Sequence, residues 1–307
     1  MISKKEMKNS KQKVKKFFFP FSPIKSFRSV RLLFLLAILL ALRLVLGVLT
    51  IRIAPFNLSI SFAWLPVMVI GWYFGPVVGL IMGCITDTIS FLMSGGGVWF
   101  WMYAIQEPIV GLISGLVAGL YRIRKNNIKS HITVDVIVNQ ILVIGFAVLS
   151  YVILIVWLNP SHHFQGHDDD YDKFYQIYKW VAIGGISALV LIYEILMVLS
   201  LNHKIGNINN QTMINFIYAS SLVIITMLIF SIALGPVIAV EYFKFINGGI
   251  TPEPFIKYGS MFYLIPRVAV ETIKVPLESM ALFGVVCLFN KKVDFIINKI
   301  NNSWVTA

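Results

Sequence analysis

Four charged residues interrupt an otherwise apolar run near the end of the chain. They are Arg267, Glu271, Lys274 and Glu278, at steps of four, three and four. This spacing puts all four on one face of a helix, here called the charged face. A charge at the centre of a bilayer costs about 2.5–3.5 kcal/mol, so such residues face a protein interior or a wet cavity. The pattern predicts a polar site inside a membrane, while pairing among the four charges to hold helices together remains open.

The composition excludes a water-soluble domain. Hydrophobic residues make up 58% of the 307 residues, charged residues only 13%, and the mean hydropathy is +0.80. Because a membrane-spanning helix needs about 20 mostly apolar residues, we expect an all-α, polytopic transmembrane helix bundle. The candidate spans lie at roughly 32–51, 60–74, 77–94, 99–121, 133–158, 176–201, 214–243 and 260–289.

The positive charges predict the orientation of these spans. Most of the 26 Lys and Arg lie before the first span, in 122–131 and after residue 290. Cytoplasmic loops carry an excess of Lys and Arg, so both termini are expected in the cytoplasm of a multi-pass protein of the cell membrane. The net charge of +12 is explained by topology and by anionic lipid rather than by nucleic acid. We expect a basic cytoplasmic tail at 1–30, a transmembrane domain at 31–290 and a second tail at 291–307.

Other chemistries find little support in the sequence. Cys84 and Cys287 lie far apart in apolar runs, which excludes a disulfide framework or zinc spacing. No P-loop motif is present, and no nucleophile stands with its base, so an enzyme is not expected. The segment 162–170 holds His and Asp without a metal-ligand spacing. We therefore expect no metal and no cofactor.

The N-terminal third carries several motifs in series. They are Arg52-Ile-Ala-Pro-Phe-Asn57 leading to Trp64-Leu-Pro66, Gly71-Trp-Tyr-Phe-Gly-Pro76, Gly83-Cys-Ile-Thr-Asp87 and Gly95-Gly-Gly-Val-Trp99-Phe100. In combination they resemble the substrate-binding S components of energy-coupling factor vitamin transporters. Among these S components, the resemblance is closest to the folate group. The resemblance covers 31–121 and returns at 216–290, where 263–267 and 274–278 look like the last helix of that family.

This resemblance implies a six-helix membrane protein that captures a vitamin with high affinity. A transmembrane coupling protein and two cytoplasmic ATPases would drive uptake. Ala37 and Ala41 form a small-xxx-small surface on the first span, expected to contact the coupling protein. The chain departs from the family at about 130–205, which adds about two spans to the six-helix core.

The chemistry of folate selects the candidate site residues. An aromatic pterin, a benzoate ring and a dianionic glutamate tail call for flat apolar surfaces, hydrogen-bond acceptors and cations. We expect Asp87 and Asn57 to bind the pterin edge, and Arg52 and Arg267 to bind a carboxylate. The predicted site is completed by Trp64, Trp99, Phe100 and Tyr263 against the rings and by Glu271 and Lys274 of the charged face.

Three alternatives stay open. The chain could be an S component for another vitamin such as riboflavin, or a stand-alone ion-coupled carrier, which would also use intramembrane charges. A membrane enzyme acting on lipids would need a catalytic constellation, and none is found.

Glu107, followed by Pro108, could line a cavity or satisfy the backbone freed by the proline.

Overall fold

The computed structural model describes residues 17, 29–53, 58–93, 98–125, 128–157, 180, 183–188, 190–195, 197–198, 210–250 and 261–303. Helices make up nearly all of this described part, which confirms the predicted all-α bundle. The predicted tail 1–30 and the loop 162–170 lie largely outside the described residues, the region 130–205 is described only in part, and residues 291–303 of the second predicted tail are helical. Their assignments stay predictions.

The described elements follow one another as helices with one short hairpin. They are α1 (Val30–Val48), β1 (Ile51–Ile53), β2 (Leu58–Ile60), α2 (Trp64–Phe74), α3 (Pro76–Met93), α4 (Trp101–Ala104), α5 (Gln106–Lys125), α6 (Ile128–Trp157), α7 (Ile183–Ile195), α8 (Asn210–Met227), a π-helical segment (Leu228–Ala233), α9 (Gly235–Ile246) and α10 (Met261–Ser303). The antiparallel strands pair Arg52 with Ser59.

Six of the described helical segments are long and apolar enough to cross a membrane. They are Val30–Val48, Pro76–Met93, Trp101–Lys125, Val134–Val152, Gln211–Ala233 and Val270–Phe289. The shorter apolar helices α2 and α7 coincide with the two remaining apolar runs of the sequence. The predicted runs therefore reappear as helices, although α2 with 11 residues is too short to cross a bilayer alone.

Glycines bring α2, α3 and α5 into close contact. A Cβ on Gly79 would lie 2.7 Å from the carbonyl carbon of Gly111, and a Cβ on Gly111 would lie 2.6 Å from that of Gly79. Only a missing side chain on both helices permits this approach. Gly75, with a φ of 93°, makes the sharp turn between α2 and α3. The three helices therefore pack closely together, and α5 is held in register against α3.

The charged face of α10 is turned toward the protein. Glu271, Lys274 and Glu278 are buried, whereas Ile273 and Leu277 on the opposite face are more than half exposed. Helix α8 and the π-helical segment pack against this inward face, together with α2. A helix that must bury charges and offer apolar side chains to lipid has this asymmetry.

Candidate functional site

A cavity of about 520 Å³ lies between α1, the end of the hairpin, α2, α5, α9 and α10. One part of its lining is aromatic, from Trp64, Tyr103, Phe230, Tyr242 and Phe243. Another part is charged, from Arg43, Glu107, Arg267, Glu271 and Lys274. Small-molecule sites have about 300–1,000 Å³, mostly apolar walls and a few placed polar groups. The cavity therefore has the size and lining of a site for an organic ligand.

The aromatic walls are held by edge-to-face contacts. The ring of Trp64 meets Phe230 at a centroid distance of 5.8 Å and an interplanar angle of 75°. On the other side, Tyr103 meets Tyr242 at 5.2 Å and 81°. Such T-shaped pairs fix ring orientation beyond the effect of buried area. The cavity thus presents stiff, flat surfaces to a ligand.

A buried ion pair joins α1 to α5 at one edge of the cavity. The Arg43 guanidinium forms two parallel hydrogen bonds with the Glu107 carboxylate, of which Nε to Oε2 measures 3.1 Å. The Thr86 hydroxyl donates a third bond to Glu107 Oε2 at 2.9 Å. The side chains of Arg43 and Glu107 are only 12% and 5% exposed. This pair satisfies its own charges and closes the edge of the cavity at α1.

Lys274 occupies the centre of the charged face. Its ammonium lies 3.8 Å from Glu271 Oε1, 3.7 Å from Glu278 Oε1 and 5.2 Å from the centroid of the Trp64 ring. Met227 Sδ lies 3.9 Å away from it. One cation is therefore shared by two carboxylates and stabilised by an aromatic face.

The π-helical segment places Ser231 opposite Glu271. The Ser231 hydroxyl donates to Glu271 Oε1 at 2.8 Å, while Glu271 Oε2 is buried without a hydrogen-bond partner. π-helical turns inside α-helices occur frequently at functional sites. Glu271 is thus oriented by one oxygen and left with the other as a free acceptor on the cavity wall.

Arg267 is the least satisfied cation of the cavity. Its guanidinium packs against Gly235, where any side chain would collide with it, and it interacts with the Tyr103 hydroxyl. The Nε atom is buried without a hydrogen-bond partner. Within the described part of the chain, no carboxylate forms an ion pair with Arg267. This arrangement leaves a donor for an anionic group of a ligand.

The structure brings together four of the ten predicted site residues. Trp64, Arg267, Glu271 and Lys274 all line the cavity. Asp87, Trp99 and Phe100 lie outside its lining, and Trp99 is 53% exposed. Asn57 lies outside the described residues, and Arg52 and Tyr263 lie in β1 and α10 without described side chains. Ala37 and Ala41 are exposed on α1, and their contact with a coupling protein stays a prediction.

Sequence reasoning missed several lining residues. Arg43 is a lone cation in an apolar run, which is a usable signal for an intramembrane site. Glu107 carries the same signal, and of its two candidate roles in the sequence analysis it takes that of lining the cavity. Ser231 and Tyr242 gave no such signal, because a serine or a tyrosine in an apolar segment is ordinary. Their place in the cavity follows from how α9 and the π-helical segment fold back on α10.

Comparison with known proteins identifies relatives over most of the chain. Residues 27–164 match the family model described as the S component of the ECF-type riboflavin transporter. An uncharacterized MG313 homolog of Mycoplasma pneumoniae is 32% identical over 266 residues, which are 86% of this chain and 91% of that protein. The uncharacterized protein MG313 of Mycoplasma genitalium is 32% identical over 289 residues, 92% of this chain and 96% of that protein.

A third relative matches a much shorter part of the chain. A UPF0397 protein of Streptococcus sanguinis is 32% identical over 89 residues, which are 29% of this chain and 49% of that protein. No solved structure matches the chain. The chain belongs to the same family as the two mycoplasma proteins, and its residues 27–164 are similar to an energy-coupling factor S component.

Proposed function

We propose that this chain is an energy-coupling factor S component that captures folate, or a related pterin that carries a carboxylate, and delivers it to an energy-coupling factor module for ATP-driven uptake. The observation that carries the proposal is the buried Arg267 Nε, which has no partner on the wall of an aromatic cavity. A buried donor without a partner costs about 1–3 kcal/mol, and more when it is charged. A ligand carboxylate removes that cost.

The ion pairs of the cavity favour an anionic vitamin, because they leave one cation without a carboxylate partner in the described part of the chain. Arg43 is paired with Glu107, and Lys274 lies between Glu271 and Glu278. Arg267 alone has no carboxylate within the described residues. Since a guanidinium binds a carboxylate through two parallel hydrogen bonds, Arg267 is the group that selects a carboxylate-bearing ligand.

The heteroaromatic part of the ligand has its own partners. Trp64 and Phe230 contribute aromatic surface to the cavity, and Glu271 Oε2 is a buried acceptor without a hydrogen-bond partner beside it. A pterin presents amino and ring N–H donors along one edge and flat apolar surface on both sides. Stacking on the rings and donation to Glu271 would therefore orient it.

Riboflavin is the second candidate, because the matching family model is that of riboflavin S components. A flavin ring also fits flat aromatic walls and donates an N–H to an acceptor. Riboflavin has no carboxylate, so it leaves Arg267 without an anionic partner. The two vitamins therefore differ in their dependence on Arg267.

Calorimetry with the purified protein in mild detergent tests the proposal. We expect folic acid to bind the wild type, and Arg267→Gln to weaken that binding by at least about tenfold, which is about 1.4 kcal/mol. Arg124→Gln is the matched control, since it removes a guanidinium at the far end of α5 that lies 3.6 Å from Asp135. Folic acid that does not bind, or binds folded Arg267→Gln unchanged, contradicts the proposal. Tight riboflavin binding insensitive to Arg267→Gln favours the second candidate.

Transport assays separate this S component from a stand-alone carrier. In liposomes that contain the coupling protein and both ATPases, we expect vitamin uptake that requires ATP. Liposomes with this chain alone are expected to take up nothing. Uptake by the chain alone, driven by an ion gradient, contradicts the division of labour between capture and energy coupling.

A further inference from the structure

Glu278 is a fully buried carboxylate with no hydrogen bond. Its exposed fraction is 0%, and neither Oε1 nor Oε2 has a hydrogen-bond partner. The cation beside it is Lys274, whose ammonium lies 3.7 Å from Oε1. Glu278 does not line the cavity, so a ligand does not contact it. The ligand site described above gives this residue no role.

The groups around Glu278 compensate its charge only in part. Lys274 is shared with Glu271, which lies 3.8 Å from the ammonium and also accepts the Ser231 hydrogen bond. Glu271 therefore has two stabilising partners, Lys274 and Ser231. Glu278 has only the ammonium of Lys274, which it shares with Glu271. The charged groups that act on Glu278 are Lys274 and Glu271.

Helices α2 and α8, which pack against α10, bring no charged side chain to Glu278 in the described part of the chain. Helix α2 presents the Trp64 ring to Lys274, and its Tyr73 hydroxyl donates to the backbone oxygen of Val285. Helix α8 presents Met227 Sδ. No described side chain of α2 or α8 is charged. Of the acids on α6 and α7, Asp135 pairs with Arg124, and Glu194 accepts a hydrogen bond from Gln140.

The charged face is electrically balanced before a ligand enters. Two cations, Arg267 and Lys274, stand against two carboxylates, Glu271 and Glu278. A ligand carboxylate on Arg267 adds one negative charge to this buried set. Burying an uncompensated charge is expensive, and a buried group commonly relieves that cost by changing its protonation state. The carboxylate with the fewest partners is the one that is neutralised most easily.

We propose that Glu278 is a proton-binding site that is filled when a carboxylate ligand binds to the cavity. One proton from bulk water bonds to a Glu278 carboxylate oxygen and converts the carboxylate into a neutral carboxylic acid. This proton balances the negative charge that the ligand carboxylate brings to Arg267. Lys274 is then shared by one carboxylate fewer, so its charge acts on the cavity. The proposal rests on the proposed binding of a carboxylate vitamin.

Calorimetry in two buffers measures the proton directly. Folic acid and riboflavin are titrated into the wild-type protein at pH 7, once in phosphate and once in Tris, whose ionisation enthalpies differ. The difference in binding enthalpy gives the number of protons taken up. We expect about one proton for folic acid and none for riboflavin. Because binding takes up a proton, the affinity for folic acid falls as the pH rises, by up to about tenfold per pH unit.

Variants assign the proton to its residue. Glu278→Gln is expected to bind folic acid without proton uptake and with an affinity that no longer depends on pH. Glu194→Gln removes another acid within the helix bundle and is expected to keep the proton uptake of the wild type. If Glu278→Gln does not fold, infrared difference spectra of the wild type replace it, and a new carboxylic acid carbonyl band must appear on addition of folic acid.

The outcomes separate the two proposals. Folic acid binding without proton uptake by the wild type, or proton uptake that persists in Glu278→Gln, overturns the proton site and leaves the proposed function standing. Folic acid binding to the wild type without a new carboxylic acid band also overturns the proton site and leaves the proposed function standing. Absence of any folic acid binding overturns both.

Discussion

The Arg43–Glu107 pair offers the sharpest test of how the cavity is held together. Changing Arg43 to Met keeps an apolar stem on α1 and removes the guanidinium. Glu107 then retains only the Thr86 hydroxyl as a side-chain partner, at 2.9 Å. Because Glu107 is 5% exposed, little water reaches its carboxylate to replace the lost hydrogen bonds. Removing one partner of a buried ion pair costs about 3–5 kcal/mol, so we expect a loss of this size in the free energy of unfolding.

The reverse change and the double variant complete the test. Glu107→Gln leaves the Arg43 charge buried and is expected to cost a similar amount. The double variant Arg43→Met/Glu107→Gln leaves neither charge of this pair buried, and we expect it to be more stable than either single variant. Unfolding of the purified proteins in mild detergent, followed by tryptophan fluorescence, measures all four.

A second ion pair of the same chain serves as the control. Arg124 is 33% exposed and lies 3.6 Å from Asp135, which is 10% exposed and also accepts a hydrogen bond from the Tyr218 hydroxyl. Because Arg124 is partly solvated and Asp135 keeps this partner, Arg124→Met is expected to lower stability by less than Arg43→Met does. The reasoning is refuted if Arg43→Met costs no more than Arg124→Met, or if the losses of the two single variants add up in the double variant.

Further predictions concern packing and partners. Gly111→Ala is expected to destabilise the protein by about 1–3 kcal/mol in the same unfolding assay, whereas Gly145→Ala, where a Cβ meets nothing within 4 Å, is expected to cost nothing. Changing Ala37 and Ala41 on the exposed side of α1 to Leu should preserve vitamin binding in detergent and abolish ATP-dependent uptake with the coupling module; unchanged uptake contradicts their predicted role. Tyr193→Phe removes a buried hydrogen bond between α7 and α6 and should cost about 1 kcal/mol in the unfolding assay without changing vitamin affinity.

Local patterns predicted the helices and the charged face of α10. The steps between Arg267, Glu271, Lys274 and Glu278 are a property of helix geometry, so they placed these side chains on one face before any packing was known. The dipeptide Gly75-Pro76 is likewise typical of a turn, and the structure has one there, between α2 and α3. Features with a short period in the sequence are therefore predictable without the tertiary structure.

Such local patterns do not predict which face of each helix lines the cavity. Phe100 has the residue type of a ligand-stacking group, yet it packs on Tyr242 and Phe245 of α9, at centroid distances of 5.6 and 5.5 Å. Asp87 lies on α3 and outside the lining. The rotation of α3 is set by the Gly79–Gly111 contact with α5, and a contact between helices is not encoded in the periodicity of either one.

The sequence by itself determined that this chain lies in a membrane, that it is helical and that one helix carries an inward face of charges. Hydropathy and helical periodicity depend only on neighbouring residues, which is why they suffice for these conclusions. The tertiary structure alone decided the partners of those charges. Arg43 meets Glu107 across 64 positions, and Ser231 meets Glu271 across 40. The packing of separate helices leaves Arg267 Nε without an acceptor and the Glu278 carboxylate without a donor among the described residues. These unpaired groups distinguish the site from the rest of the bundle.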